Sequence, residues 1–211
     1  MWQVDKICAI ARAEIGTREQ PAGSNRQKYG EAYGWDGVPW CVEFIWWCFA
    51  QAGLGALFYG GHKTASCGAL LRWARENRQL VGVENVARGD VVFLNFARGR
   101  EPEHLGLVYR ESYPDAIYTV EGNTSDVGSQ DNGGMVLDKL RRRDHVVAIW
   151  RPDYAAITDY TGRWSETVIR QMIERGIMTG DPDGSFRPRD PVTREELAAV
   201  AARILEVIDH E

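Results

Sequence analysis

The spacing of apolar residues predicts that the first part of the chain is helical. Apolar positions three and four residues apart indicate a helix over 2–15, and an almost entirely apolar stretch indicates a buried helix over 39–51. A third helix is predicted over 66–77, with Ser66 as its cap. The polar, glycine-containing stretch 17–38 is predicted to be a loop.

The apolar period changes from helical to strand-like after residue 82. Five short runs rich in β-branched and aromatic residues follow, namely VVFLNF, LGLVY, AIYTV, GGMVLDKL and VVAIW. Helices followed by antiparallel strands is the order expected of an α+β domain. We expect LGLVY to pair with AIYTV, and Glu121 and Asn123, two residues apart, to share one face of the sheet.

A change in charge divides the chain into two predicted domains. Residues 1–152 contain 18 basic and 18 acidic residues, whereas residues 153–211 contain 7 and 12, and seven of the eight tryptophans lie in the first part. We therefore predict a domain boundary near Pro152. The second domain is predicted to be a small helical module, with one helix capped by Ser165 and another by Thr193.

Four polar residues form a candidate catalytic set. Cys41 begins the buried helix directly after a proline and a tryptophan, and the unpaired N–H groups of a helix start stabilise a thiolate. His104 precedes the LGLVY strand, and Glu121 and Asn123 follow the AIYTV strand. Cysteine, histidine and a carboxylate are the residue types of a nucleophile, its general base and the group that orients the base.

The motifs around these residues resemble the CHAP domain, a family of cysteine- and histidine-dependent amidohydrolases and peptidases that cut bacterial peptidoglycan. The resemblance covers about residues 1–152 and rests on PWC, HLGLV and EGNTS, together with IARAEIGTRE, SNRQKYG, TASC, ARGDVVFLNF and AIWRP. It implies a papain-like arrangement of helices on an antiparallel sheet. It also implies that Cys41 is the nucleophile, His104 the base, Glu121 the orienting partner and Asn123 a fourth polar member of the site.

Residues 153–211 resemble a single S-layer homology module. The resemblance rests on Asp159, Trp164, GIMTG, DGSFRP and VTREE. It implies binding to secondary polymers of the Gram-positive wall, for which we choose Trp164 and Arg194, since a ring stacks on a sugar and an arginine pairs with phosphate or carboxylate. Such modules usually act in threes, so a single copy is expected to bind weakly or to form a homo-oligomer. A module that merely covers the first domain is the alternative.

Two other residues could take over a catalytic role. Cys67 also begins a predicted helix, but no histidine and carboxylate accompany it, so we expect it to pack near the site. His62 could replace His104 as the base only if its loop folded back over the helix. Cys8 and Cys48 are expected to pack in the core, and without C-x-x-C spacing we predict no zinc site. Cys41 and Cys48, seven residues apart on one helix, are about 10 Å from each other and too far apart for a disulfide, so we expect reduced thiols.

Composition and sequence pattern argue against several other classes of protein. The net charge of −5 argues against nucleic-acid binding, and the arginine run 141–143 is expected to be a solvated hairpin edge. We predict no cofactor and no metal, because neither the loop before Cys41 nor the DPDG turn at 181–184 has the spacing of a calcium loop. No stretch approaches the ~20 apolar residues of a membrane span, and the first residues lack the apolar core of a signal peptide. We therefore expect no membrane insertion and a protein that is made in a host cytoplasm and acts on the wall after release.

The sequence and the two resemblances together predict a two-domain peptidoglycan hydrolase in the manner of a phage endolysin. The bond that it cleaves is expected to be either the N-acetylmuramoyl-L-alanine amide or a cross-bridge peptide bond, because the same thiol chemistry suits both. Two alternatives stay open. One is a bacterial autolysin or remodelling peptidase, and the other is a non-catalytic protein that uses both domains to bind the wall.

Overall fold

The computed structural model describes residues 2–110 and 112–209. From the sequence we expect His210 to be a surface or strand-edge residue, and it lies outside the described residues. The chain divides into two compact units, of which Gln3–Tyr154 is the larger, and the smaller is formed mainly by residues from Ala155 onward. Among the described residues, no helix is long and apolar enough to cross a membrane.

Four α-helices precede the sheet, one more than apolar spacing predicted. They are α1 (Trp2–Ala13), α2 (Lys28–Tyr33), α3 (Cys41–Ala52) and α4 (Cys67–Glu76). The additional helix, α2, falls in the predicted loop. The side-chain oxygen of Gln27 caps it by accepting hydrogen bonds from two N–H groups of its first turn. Glutamine is not one of the usual capping residues, so no helix start could be predicted there.

One residue sets the C-terminal end of α3, and one sets the N-terminal end of α4. Gly53 ends α3 with a φ of 76°, a left-handed conformation that glycine adopts without strain. Ser66 caps α4 as predicted, since its hydroxyl accepts a hydrogen bond of 3.2 Å from the N–H of Ala69. The helix α3 is apolar on nearly all sides because it packs against α2 as well as against the sheet.

Six strands form one antiparallel sheet in the order β1-β6-β2-β3-β4-β5. They are β1 (Leu80–Val81), β2 (Val91–Leu94), β3 (His104–Val108), β4 (Ala116–Thr124), β5 (Met135–Arg142) and β6 (Val146–Trp150). The predicted α+β class is therefore confirmed, and so is the pairing of β3 with β4, in which Leu107 lies opposite Val120. The strand β1 was not predicted because two residues are too few to show an alternation.

The close approach of α3 to the sheet depends on glycine at two positions. A side chain at Gly122 of β4 would place its Cβ 2.5 Å from the Cβ of Phe44 in α3. A Cβ at Gly106 of β3 would lie 2.9 Å from the Cβ of Thr119 and 3.0 Å from the Cγ of Glu121. The two glycines therefore allow the start of α3 to lie next to β3 and β4.

A bulge interrupts the end of β4. The pairing with β5 shifts between Glu121, which lies opposite Leu137, and Thr124, which lies opposite Met135. Within the bulge, Asn123 has a φ of 58°. The regular alternation on which we based a shared face for Glu121 and Asn123 is therefore interrupted.

The described residues of the smaller unit form two α-helices, α5 (Glu166–Glu174) and α6 (Arg194–Asp209). Thr193 caps α6 as predicted. Its N–H donates to Oε2 of Glu196 at 2.7 Å, and its hydroxyl accepts from the N–H of Glu196 at 3.1 Å. Ser165 occupies the N-cap position of α5 as predicted, but its backbone is already helical and its side chain makes no capping hydrogen bond.

The carboxylate of Asp159 organises the turn that precedes α6. It accepts hydrogen bonds from the N–H of Phe186 at 3.0 and 3.1 Å and from the N–H of Arg187 at 2.6 Å. The guanidinium of Arg187 pairs in turn with Asp181 at 2.5 Å and with Asp190 at 3.2 Å. Two separate parts of the S-layer homology resemblance, Asp159 and the DGSFRP segment, are therefore in direct contact.

Candidate active site

Cys41 is the first residue of α3, and 4% of its surface is exposed. Trp40, directly before it, makes no side-chain capping hydrogen bond, so no capping side chain competes for the N–H groups of the first turn. The ring N–H of Trp40 donates to Oε1 of Glu19 at 2.9 Å, which fixes the residue next to the thiol. The N–H groups of the helix start and the helix dipole therefore favour a thiolate at Cys41.

His104 and Glu121 form a buried pair from two adjacent strands. Nε2 of His104, at the start of β3, lies 3.0 Å from Oε2 of Glu121 in β4. Nδ1 of His104 is buried and has no hydrogen-bond partner among the described residues. Because Glu121 occupies Nε2, Nδ1 is the nitrogen available to exchange a proton with Cys41. Catalytic hydrogen bonds of this kind often form only once substrate is bound.

Arg141 of β5 completes the support of Glu121. Its Nε donates to Oε1 at 2.8 Å and its Nη2 to Oε2 at 2.5 Å, while the hydroxyl of Thr119 donates to Oε1 at 2.6 Å. Arg141 is buried, and its guanidinium lies 4.6 Å from the ring centroid of Phe96. The expectation that Arg141 belongs to a solvated edge is therefore wrong. A buried glutamate requires a cationic partner, and the basic run in the neighbouring strand was the signal that could have identified it.

The electrostatics of these groups favour a pair of thiolate and imidazolium. A hydrogen bond from Cys67 lowers the pKa of Cys41, and His104 lowers it further. Together they outweigh burial, which raises this pKa, and hold it well below that of an ordinary thiol. Burial lowers the pKa of His104, but Cys41 and Glu121 outweigh it and raise that pKa to about 9. Burial raises the pKa of Glu121, but Arg141 and His104 outweigh it and lower that pKa to about 2. Glu121 is therefore ionised at neutral pH.

Asn123, the fourth predicted member, is not part of this network. Its Nδ2 donates to the carbonyl oxygen of Asp131 at 3.1 Å and to Oδ1 of Asn132 at 3.3 Å. Its own Oδ1 is buried and has no hydrogen-bond partner within the described part of the chain. The amide of Asn123 therefore holds the loop after β4, and the structure does not bring it into contact with His104.

Cys67 lies closer to Cys41 than the sequence indicated. It is the first residue of α4, and its Sγ lies 3.8 Å from the Sγ of Cys41. Its hydrogen bond to Cys41 and its burial raise the pKa of Cys67 well above the usual value, so that it stays protonated. Burial likewise raises the pKa of Cys8 to about 11 and that of Cys48 well above the usual value. His62 is exposed at the end of a 3₁₀ turn.

A cleft of about 450 Å³ adjoins the candidate site. Its walls are formed by residues of the loops 18–25 and 125–135. One lining residue, Glu19, accepts the ring N–H of Trp40, the residue directly before Cys41, and another, Asn132, accepts from the side-chain amide of Asn123. Sequence reasoning missed Glu19, because nothing in a polar loop marks one carboxylate as buried.

Glu43 is a second buried carboxyl that sequence reasoning missed. It lies in the first turn of α3, two residues after Cys41. Its Oε2 accepts from Nε2 of Gln27 at 3.5 Å, and its Oε1 has no partner among the described residues. Burial raises the pKa of Glu43 to about 7, although the hydrogen bond from Gln27 lowers it. When Glu43 is protonated it carries no charge, so it does not repel the thiolate of Cys41.

In the part of the chain that the structure describes, no three His, Cys, Asp or Glu side chains converge as metal ligands would.

Two segments of the chain match models of known families. Residues 32–123 match the CHAP domain, and residues 156–198 match the S-layer homology domain. The chain contains a CHAP domain followed by an S-layer homology domain. Both resemblances predicted from the sequence are thereby confirmed. The segment that matches the CHAP domain includes Cys41, His104 and Glu121.

The curated relatives share short segments with the chain. Outer membrane protein SlpA of Deinococcus radiodurans is 39% identical over 56 residues, which is 26% of this chain and 5% of that protein. An endoglucanase of Bacillus sp. is 40% identical over 48 residues, 23% of this chain and 5% of the enzyme. SlpA of Thermus thermophilus is 34% identical over 50 residues, 24% of this chain and 6% of that protein. The chain therefore spans about a twentieth of the length of these relatives, and no solved structure matches it.

The predicted location of the protein is wrong. We expected a chain that is made in a host cytoplasm and reaches the wall only after release. The S-layer homology domain and the similarity to the SlpA proteins instead point to a wall-associated protein of the cell surface. The prediction relied on the absence of a signal segment, which is weaker ground than a matched domain.

The S-layer homology domain has a cleft of its own, of about 390 Å³. Asp181, Arg187 and Arg203 are among the residues that line it, whereas Trp164 and Arg194, our choices for polymer binding, do not. Trp164 is 94% exposed, and Arg194 is exposed at the start of α6. Both chosen residues are thus open to a ligand, but the structure does not bring them into this cleft.

Proposed function

We propose that the chain is a peptidoglycan amide hydrolase that its S-layer homology domain holds at the wall. The observation that supports this best is the arrangement around His104, which interacts electrostatically with Cys41 at the start of α3. Its Nε2 is bound to Glu121, and its Nδ1 has no hydrogen-bond partner among the residues that the structure describes. A thiol hydrolase needs an imidazole with one nitrogen held and the other able to move a proton. The match to the CHAP domain includes all three residues.

In the proposed reaction, the thiolate of Cys41 attacks the carbonyl carbon of an amide and a tetrahedral intermediate forms. The imidazolium of His104 then gives its Nδ1 proton to the leaving nitrogen, the C–N bond breaks, and a thioester remains on Cys41. Water attacks the thioester while His104 accepts a proton from it. The C–S bond breaks, which releases the acid and restores the thiolate and the imidazolium.

The remaining groups act as positioning residues in this proposal. Glu121 orients the imidazole and stabilises its charge, while Arg141 and Thr119 keep Glu121 fixed and ionised. N–H groups at the start of α3 stabilise the oxyanion of the intermediate. Asn123 then acts indirectly, because its amide holds Asn132, which lines the neighbouring cleft.

The substrate is proposed to lie in the cleft between the loops 18–25 and 125–135, whose volume falls in the usual range of ligand pockets. Digestion of purified sacculi with the full-length protein identifies the bond. New alanine amino termini indicate cleavage of the N-acetylmuramoyl-L-alanine amide, and new amines on the cross-bridge indicate an endopeptidase. Mass spectrometry of the released fragments distinguishes the two products.

A non-catalytic wall-binding protein is the competing proposal. It predicts that the reduced, folded protein sediments with sacculi and yet releases no new amine termini, and that result would refute the hydrolase. Among hydrolases, the surface location favours an autolysin or remodelling peptidase over an enzyme released from a host cytoplasm.

The S-layer homology domain is proposed to bind a secondary wall polymer. Trp164 and Arg194 are the proposed contacts, since the exposed ring can stack on a sugar and the exposed guanidinium can pair with an anionic group. Assembly of several chains through this domain stays a prediction. It is supported by the exposed apolar residues of α6, which include Leu197, Leu205 and Ile208.

A further inference from the structure

Two thiols lie next to each other at the starts of two helices. Cys41 begins α3 and Cys67 begins α4, and their sulfur atoms are 3.8 Å apart. The exposed fraction is 4% for Cys41 and 9% for Cys67, so each retains a small surface that a small molecule can reach. The other two cysteines differ, because Cys8 is 1% and Cys48 is 0% exposed, and the thiol of Cys8 donates to the carbonyl oxygen of Val108.

The two neighbouring thiols are not equivalent. The hydrogen bond from Cys67 and the nearby His104 favour the thiolate of Cys41, whereas the same hydrogen bond and burial hold Cys67 as a thiol. The pair therefore consists of a thiolate and an S–H donor directed at it. A thiolate is the form that reacts with oxidants, and a neighbouring thiol is what converts the first oxidation product into a disulfide.

We propose that Cys41 and Cys67 form a peroxide-reactive pair, in which hydrogen peroxide oxidises Cys41 and Cys67 then closes a disulfide with it. This reaction goes beyond the proposed hydrolase function and does not depend on it. It also gives Cys67 a chemical role in place of the packing role expected from the sequence.

The proposed chemistry has two steps. The thiolate of Cys41 attacks one oxygen of hydrogen peroxide, the O–O bond breaks, and a sulfenic acid forms while hydroxide leaves and takes the proton of the His104 imidazolium as water. The sulfur of Cys67 then attacks the sulfur of Cys41, the S–O bond breaks, and the hydroxyl group leaves with the proton of Cys67 as a second water. Two thiols are thus oxidised to one disulfide, and one peroxide is reduced to two waters.

The distance between the sulfurs permits this bond with little movement. A disulfide has an S–S distance of about 2.05 Å, so the sulfurs, now 3.8 Å apart, must approach by about 1.8 Å. Rotation of a cysteine side chain about its Cα–Cβ bond moves the sulfur by such an amount and leaves the helices in place. The N–H groups at the start of α4 also favour the loss of the Cys67 proton, which makes its sulfur a better nucleophile.

The disulfide would switch the nucleophile off reversibly. While the S–S bond exists, Cys41 cannot attack an amide, and an external thiol restores it by exchange. The bond also protects Cys41 from further oxidation to the irreversible sulfinic acid. Such protection suits a wall-associated protein, which works outside the reducing environment of the cytoplasm.

Peptide mapping of the full-length protein tests the pair without using its hydrolase activity. The reduced protein is treated with a small excess of hydrogen peroxide, unfolded, alkylated and digested. We expect a disulfide-linked pair of peptides containing Cys41 and Cys67, which a reductant separates, and alkylated Cys8 and Cys48. Sulfinic acid at Cys41 with Cys67 still a free thiol would overturn the proposal. So would a disulfide from Cys41 to another cysteine.

Two variants assign the roles. Cys67→Ser retains the size and the hydrogen-bond donor, and we expect it to fold as judged by circular dichroism but to accumulate sulfinic acid at Cys41 under peroxide. Cys41→Ser is expected to leave Cys67 as a thiol. Equal protection of Cys41 in Cys67→Ser and in the parent, or oxidation of Cys67 in Cys41→Ser, would contradict the assignment. If the disulfide forms in a protein that releases no amines from sacculi, the pair stands and the hydrolase proposal fails.

Discussion

Glu121 is the residue whose surroundings most restrict what the site can do. Its carboxylate accepts hydrogen bonds from Arg141 and Thr119 and holds Nε2 of His104, all within the buried interior. A buried carboxylate is stable only when such donors surround it, and Arg141 depends on the carboxylate in the same way. The orientation of the imidazole and the burial of the arginine therefore rest on one side chain.

Glu121→Gln should lower kcat/KM by on the order of 10³–10⁴-fold, as expected when the orienting carboxylate of a triad becomes an amide. It should also lower the free energy of unfolding by about 3–5 kcal/mol, because Arg141 is left buried without its anion. Glu101→Gln is the matched control, since Glu101 is exposed. Rates on soluble peptidoglycan fragments and thermal unfolding curves measure the two effects. Equal losses in the two variants would count against the role of Glu121.

The dependence of the rate on pH should have two limbs, one from the thiol of Cys41 and one from the imidazole of His104. The rate should rise as Cys41 loses its proton, at a pKa well below that of an ordinary thiol, and fall as His104 loses its proton near pH 9. Initial rates of amine release across this range give the two limbs. A rate that starts to rise only near the ordinary thiol pKa of about 8.5 would contradict the pair.

Residue types alone suggested the proposed reacting groups but not the groups that surround them. Cys41, His104 and Glu121 could be predicted because the chemistry requires these residue types at the ends of regular elements. Arg141 and Glu19 could not, because their burial arises from contacts between distant segments and a charged residue in a polar stretch is usually solvated.

At the level of elements, the site depends on how closely α3 packs on β4. Phe44 of α3 packs directly on Gly122 of β4, and Gly122 is the residue that follows Glu121. The same helix begins with Cys41, and the neighbouring strand begins with His104. A change in this packing distance should therefore alter both the stability of the fold and the geometry of the site.

Gly122→Ala tests this contact. The added Cβ would lie 2.5 Å from the Cβ of Phe44, so α3 or β4 must shift. We expect a loss of about 1–3 kcal/mol in the free energy of unfolding, together with a lower kcat as Cys41 moves relative to His104. Gly55→Ala is the control, because the nearest atom to its added Cβ is 4.0 Å away. Denaturant unfolding of Gly122→Ala that matches the control would show that the contact is unimportant.

Periodicity predicted the long elements and failed for the short ones. The helices α1, α3 and α4 and the strands β2 to β6 each contain enough residues to show a period. The helix α2 depends on a side-chain cap from Gln27, and β1 has two residues. The bulge at Asn123 depends on a positive φ that no apolar pattern reveals.

At the level of the whole molecule, the wall-binding segment is acidic. Residues 153–211 contain 12 acidic and 7 basic residues, so general electrostatic attraction cannot bring this segment to an anionic polymer. Binding must then rest on local contacts. The order of the two domains could be predicted from their motifs, whereas the location of the protein could not, because it depends on what the second domain binds.

Arg194→Gln in the full-length chain should weaken binding to walls that retain their secondary polymers by roughly tenfold, as expected for the loss of a charge-assisted hydrogen bond. Arg189→Gln is the matched control, since Arg189 is also exposed. Cosedimentation with intact walls and with walls stripped of the polymers measures the effect. Unchanged binding of Arg194→Gln, or equal binding to stripped walls, would exclude this residue as a polymer contact.

The most direct test of the central claim compares the two neighbouring thiols in one reaction. Full-length Cys41→Ala and Cys67→Ala are assayed on soluble peptidoglycan fragments under reducing conditions, after circular dichroism has shown that both are folded. We predict that Cys41→Ala releases no amines above the background, because the loss of a covalent nucleophile removes several orders of magnitude in rate, while Cys67→Ala retains a measurable rate. An active Cys41→Ala together with an inactive, folded Cys67→Ala would contradict the claim that Cys41 is the nucleophile.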